Sequence, residues 1–391
     1  IEKKITIKNI LSYIIMSAFG LLEPANYIEH NRYFGSYINS YFNHLNIINK
    51  SSDQSNSVDF YDVDYGYPKC QDCRIVSQLT DINYLGNKKL QYDNLIQKLG
   101  YNPNYVPKTI SFESYQIKSN KIKQLFKMSK IYILKPENSL GRLGVQVIKT
   151  YPELLQWVKD HPKYQSWIIQ EYITNCLLYQ KKKFHLRIYP VIVRNKKTLK
   201  VYIYQKGFMY TSKTPYNIDN CQYPDVGLSG ENSPQQVKVF PDDFLSYYNQ
   251  AKQRYQQIIP QIDHIITQTI KVCQDKLTCP NQQAKNFECF KLLGYDLLID
   301  DQFKVWLLEI NARFISLKYP PQDFKKEMYD SILDLVWKKK PDNFRLALNH
   351  NLVNQKEGFR GKFGYSYKCS SWIGLVGLFI FIIIIILFVK F

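Results

Sequence analysis

Asp296, Glu309 and Asn311 stand in the segments GYDLLID and WLLEINAR, separated by an Asp300-Asp301 turn. If the two segments pair as a hairpin, Asp296 and Glu309 converge near one end of it. Glu309 and Asn311, two apart on a strand, share a face. Two carboxylates and an amide oxygen are hard ligands suited to magnesium; the plainer alternative is a polar sheet face with solvated acids. Lys135 leaves a strand just before a glycine-bearing loop, where an ammonium can meet anionic oxygens. Lys183, His185 and Arg187 alternate along KKKFHLRIYPVIV, so a strand would put all three on one face. Such a row needs an anion in front of it, or else it is a solvated edge.

Several elements must hold these residues. A helical pattern runs from Lys88 through Leu99 and stops at Gly100. Strands are expected over 106–110, 131–135, 145–148 and 167–171, with a helix over 151–159. Further strands over 184–194 and 199–204 read as one hairpin, and a long helix covers 242–274. The last hairpin joins 292–299 to 304–310. Antiparallel pairs mixed with helices give an α+β class.

The segments KPENSLGRLGV, WIIQEYI, KKKFHLRIYPVIV, VYIYQKGFMYTSKTPY and CFKLLGYDLLIDDQFKVWLLEINAR occur in the order and roughly the spacing of the tubulin-tyrosine ligase family. QLTDINYLGNKKLQYDNLIQKL and YVPKTI resemble its N-terminal part, so the resemblance covers residues 78–337. It implies an ATP-grasp fold of two to three lobes that hold ATP and Mg²⁺ between sheets. The implied activity joins an amino acid to a protein acceptor, a tubulin-like acidic tail, through an acyl phosphate. By matching position, Lys135 would contact phosphates and Lys88 would face the nucleotide. Gly144 would belong to a phosphate-covering loop, and Gln170, Glu171, Tyr172 and Ile173 would form the adenine hinge. Lys183, with His185 beside it, would approach ribose or phosphate. Arg187 would meet the acyl phosphate, and Asp296, Glu309 and Asn311 would hold magnesium.

The chain also departs from the family pattern. His185 stands where an aspartate is usual, Tyr210 where an arginine is, and Leu228-Ser229-Gly230 where a leucine-threonine-asparagine motif is. Gly141-Arg142 reverses an expected order. The departures at Tyr210 and Leu228-Ser229-Gly230 fall on the amino-acid side of the site. They raise an alternative: a catalytically degenerate relative serving as accessory subunit of a membrane complex, mitochondrial among other settings.

At 391 residues and 45% apolar content the chain can bury a full core. A net charge of +19 favours an anionic partner, such as nucleotide, acidic tail or lipid headgroup. No recognisable module supports nucleic-acid binding. The eight cysteines lack a secreted framework's spacing, so reduced thiols are expected, with Cys70 and Cys73 spaced as half a zinc or redox motif. Residues 1–77 read as an extension of unassigned role, and 338–371 as a basic linker. From Trp372 to Val389 the chain carries no charge and is long enough to cross about 30 Å of hydrocarbon as one helix. The lysines and arginines before that span place the folded part on the cytosolic or mitochondrial-matrix side, the topology of a C-terminal single-pass anchor.

Overall fold

The computed structural model describes residues 74–100, 103–128, 130–137, 139, 143–221, 237–280, 287–312, 315 and 320–352, with the backbone of three short strands before them. The chain divides into two units, residues 1–350 and 351–391. The second lies almost wholly outside the described residues, as does the expected membrane span 372–389. Among the described residues no helix is long and apolar enough to cross a membrane.

Three sheets carry the first unit. Strands β1 (Asn26–Ile28), β2 (Ile48–Asn49), β3 (Phe60–Tyr61) and β4 (Ile75–Val76) belong to a large sheet. A small antiparallel sheet of order β5-β8-β6-β7 uses β5 (Thr109–Glu113), β6 (Tyr132–Pro136), β7 (Gln146–Ile148) and β8 (Ser166–Glu171). After β9 (Leu178–Tyr179) come β10 (Lys182–Ile188), β11 (Pro190–Asn195), β12 (Thr198–Tyr204), β13 (Gly207–Thr211) and β14 (Val237–Phe240). The series ends with β15 (Glu288–Leu292), β16 (Gly294–Ile299), β17 (Val305–Asn311) and β18 (Phe344–Asn351). The central sheet has the order β14-β13-β10-β16-β17, and the large one β18-β12-β11-β15-β4-β3-β1-β2. The α+β class holds.

Alternation along the small sheet decides what faces outward. Tyr132 and Leu134 of β6, with Trp167 and Ile169 of β8, enter a core capped by the helix Tyr151–Asp160. Thr150 and Glu153 close that helix's N-terminus with a capping box. Ile133, Lys135, Ile168 and Gln170 must then point the other way.

Several expectations change. The stretch 184–194 is two strands, because Pro190 has no N–H to continue the ladder and the chain changes sheets at buried Tyr189. The neighbouring stretch 292–299 breaks likewise at Leu293, so β10 pairs β16 in one sheet while β11 pairs β15 in the other. The long helix splits into Asp242–Tyr247 and Ala251–Cys273 around Gln250, whose φ is 55°. A helix that sequence reading passed over, Gln322–Trp337, buries Phe324, Met328, Ile332 and Val336 against Tyr189, Val191 and Tyr204. Within the expected linker, Phe344–Asn351 is a strand at the edge of the large sheet beside β12. Cys279 and Cys289 form a disulfide, correcting the reduced reading there: β15 brings their Cα atoms to 5.7 Å. Cys176, Cys221 and Cys273 are free, and Cys70 and Cys73 lie outside the described residues.

Candidate functional site

Between the small and central sheets lies a cavity of about 150 Å³. Its lining includes Lys88, Lys135, Gln170, Glu171, Tyr172, Ile173, Lys183, His185, Asp296 and Glu309, ten of the residues singled out from sequence. Ile133, Val145, Leu298 and Leu308 supply apolar wall. Ile133 and Leu298 lie two positions from Lys135 and Asp296, so strand period was the signal that could have found them.

Lys135 is buried, and its Nζ donates to Gln170 Oε1 at 2.9 Å and to Leu308 O at 3.2 Å. Gln170 is fixed in turn by donating to Thr109 Oγ1 at 2.9 Å. The Leu308 carbonyl reflects a bulge. Asp296 pairs with Glu309 and Leu297 with Leu307, leaving Leu308 unmatched, and a bulge re-aims local groups. Lys183 projects from β10, 3.7 Å above the Tyr172 ring. Burial pushes both lysines down to about 8, opposed by Glu309 at Lys135 and by the thiols of Cys176 and Cys221 at Lys183.

Lys88 opens the helix Lys88–Leu99, whose N-cap Asn87 accepts from Leu90 N–H at 2.9 Å. A cation at a helix N-terminus opposes the helix dipole. Glu309 offsets this, with Oε1 3.1 Å from Lys88 Nζ, which also donates to Ser139 O at 3.0 Å. Glu171 is paired with Lys130 at 2.6 Å.

Asp296 and Glu309 are direct cross-strand neighbours on β16 and β17. Bare carboxylates so placed would repel. Arg187 forks onto Asp296, Nε to Oδ1 at 2.5 Å and Nη2 to Oδ2 at 3.0 Å, and Asn311 Nδ2 donates to Oδ2 at 3.1 Å. Burial would raise the Asp296 carboxyl, but Arg187, then His185 and these hydrogen bonds, hold it below its usual range. Two carboxylates and an amide, all oxygen donors on one hairpin, fit a hard cation such as magnesium when a ligand shares its coordination. Among the described residues no cluster of three or more His, Cys, Asp or Glu side chains forms a metal cage of its own.

Three expected site residues do not line the cavity: Arg187 and Asn311, which reach it only through Asp296, and Gly144. Gly144 has φ +74°, and a Cβ there would come within 2.6 Å of Tyr164 Cε2 and 2.7 Å of Pro136 Cγ. At this position only glycine lets Tyr164 and Pro136 pack so closely on the β6–β7 connection. Two departures from the family pattern prove to be one feature. His185 and Tyr210 face each other on β10 and β13, rings stacked with centroids 5.3 Å apart. Leu228-Ser229-Gly230 and Gly141-Arg142 lie outside the described residues.

The pattern of the tubulin-tyrosine ligase family matches residues 68–342. Tubulin glycylase 3C of Tetrahymena thermophila is 28% identical over 200 residues, 46% of this chain and 18% of that protein. The probable tubulin polyglutamylase ttll-9 of Caenorhabditis elegans is 25% identical over 224 residues, covering 53% and 52%. Tubulin polyglutamylase TTLL6 of Mus musculus is 27% identical over 202 residues, covering 47% and 24%. The chain therefore spans between 18% and 52% of the length of these relatives. With the family's pattern running through every strand that lines the cavity, the chain belongs to the tubulin-tyrosine ligase family.

Proposed function

We propose that the chain is an ATP- and magnesium-dependent ligase that joins an amino acid to a carboxylate of an acidic, tubulin-like protein tail. One observation carries the reading: Lys88, Lys135 and Lys183, from a helix and two different sheets, converge with Asp296 and Glu309 on a single cavity. So many charges are gathered and desolvated at a cost that an anionic ligand would offset. Relatives named as tubulin glycylases and polyglutamylases supply the reaction class.

In this reading Gln170, Glu171, Tyr172 and Ile173 form a wall for the adenine, and Tyr172 also cradles the Lys183 ammonium. Lys135, pinned by Gln170 and the Leu308 carbonyl, presents a fixed positive charge to the phosphates. His185 lies between Lys183 and Asp296 along the cavity wall. Asp296, Glu309 and Asn311 would hold magnesium, which when bound neutralises charge on the transferring phosphoryl group. Catalysis of this kind needs positioning and charge rather than a covalent nucleophile. The site offers that set. The apolar stretch 372–389 would tether the ligase to a bilayer by a single helix, a role that rests on its length and lack of charge.

The test supplies the full chain with MgATP, single amino acids and glutamate-rich peptides. ADP release that requires both amino acid and peptide is expected. Nucleotide binding with no release under any combination would refute the ligase and leave a non-catalytic nucleotide-binding relative.

A further inference from the structure

Arg187 shares a face of β10 with Lys183 and His185, yet only the latter two line the cavity. Its guanidinium is committed to Asp296 through the two-point fork, with both partners buried. Asn311 adds a third donor, and His185 Nε2 stands 3.6 Å from Oδ1. On the opposite strand Glu309 is taken by Lys88. Each member of the carboxylate pair thus carries a cation of the chain's own, and at Asp296 that cation competes with a divalent ion for the same two oxygens.

The backbone makes room for this arrangement. A Cβ at Gly294 would stand 3.2 Å from Arg187 Cδ and 3.6 Å from Asn311 Cβ, and one at Gly207 would stand 2.5 Å from the Arg187 carbonyl oxygen. Gly294 therefore leaves room for the arginine side chain beside Asp296, and Gly207 lets the neighbouring strand approach the Arg187 backbone. The Tyr210 ring, 5.5 Å from the guanidinium carbon, gives it a second surface to rest on.

We propose that Arg187 is a latch on Asp296. It closes the carboxylate pair to a divalent cation until a nucleotide brings anionic oxygens into the cavity; the guanidinium then turns from Asp296 to those oxygens and the cation takes its place. No covalent bond forms or breaks, and each charge keeps a partner throughout. With the latch closed Arg187 acts only through Asp296; with it open its guanidinium contacts the nucleotide's oxygens. The latch rests on the nucleotide reading of the cavity, and it makes cation and nucleotide binding mutually dependent.

Manganese titration of the full chain, followed by electron paramagnetic resonance with and without a non-hydrolysable ATP analogue, tests it. The wild type should bind manganese alone weakly, and at least about tenfold more tightly with analogue present. Arg187→Gln should bind manganese alone about tenfold more tightly than wild type. Arg187→Lys, whose ammonium cannot fork onto both oxygens, should fall between. Because a buried carboxylate left without its cation can unfold a protein, a thermal melt accompanies each variant. If Arg187→Gln does not fold, Arg187→Lys carries the comparison. Equal manganese affinity in the wild type with and without analogue overturns the latch, as does a folded variant with no gain. Calorimetry separates the two failures: an analogue that does not bind refutes the nucleotide reading, whereas one that binds while manganese behaves as above refutes only the latch.

Discussion

Glu309 neutralises Lys88 at the start of a helix and stands opposite Asp296, so its charge matters more than its volume. Glu309→Gln keeps the shape and removes the charge. Amino-acid-dependent ADP release should fall at least about 100-fold, the scale of losing one aligned electrostatic group. The melting temperature should hardly move, because a partly exposed ion pair contributes about 0–1 kcal/mol. Near-normal turnover would contradict the role. Lys135 and Lys183 make a second prediction. Burial first of all brings both to about 8, below the 10.5 of a free lysine. At these two groups the unfolded chain binds more protons between those values, so their contribution to stability rises as pH climbs from about 8 toward 10.5. Nucleotide affinity should run the other way, weakening from about pH 7 to 9 as the ammoniums lose protons, with proton uptake on binding. Calorimetry in two buffers of different ionisation heat measures both; affinity flat across that range would contradict it. Lys183 and Glu309 were legible because charged side chains in apolar strands are conspicuous, Lys135 because it precedes a glycine-bearing loop, and Lys88 through the family resemblance alone. Leu308 was not, since what matters there is a carbonyl exposed by a bulge that no side chain announces.

At the scale of elements, the sequence shows what is local and hides what is paired at long range. The helix Lys88–Leu99 with Gly100 behind it, and the strands carrying Lys135, Gln170 and Glu309, follow from period and stop signals. The break at Tyr189 was hidden because apolar residues continue through Pro190, and only pairing with different neighbours on either side separates the two strands. Phe344–Asn351 gives no clear strand signal because it is an edge strand in which Phe344 alone is buried and Leu346 faces water. Gly144 was matched to a phosphate-covering loop by the family resemblance, and what no motif announces is how closely Tyr164 and Pro136 pack on it. Gly144→Ala should therefore cost about 1–3 kcal/mol through left-handed strain and the close contacts. Thermal denaturation would show it as a lowered midpoint, and an unchanged midpoint would contradict the packing assignment.

For the whole molecule, a net charge of +19 bears on how an acidic acceptor arrives. Exposed charges attract an acidic peptide over roughly a Debye length, about 10 Å at 0.1 M salt. Peptide affinity, read by fluorescence anisotropy, should drop several-fold between about 50 and 300 mM salt. Nucleotide affinity, set by buried lysines, should drop less. Equal salt sensitivity would place nucleotide recognition on the surface instead. The fold brings two sheets and a helix terminus to one cleft, so that Lys135 of the small sheet and Lys88 of the helix meet Asp296 and Glu309 of the central sheet, which also carries Lys183. Calorimetric titration of MgATP into the full chain and into Lys135→Met and Lys183→Met tests this most directly. One-site binding by the wild type, weakened at least about tenfold in each variant, is the predicted result; no binding, or equal affinity in all three, would contradict it.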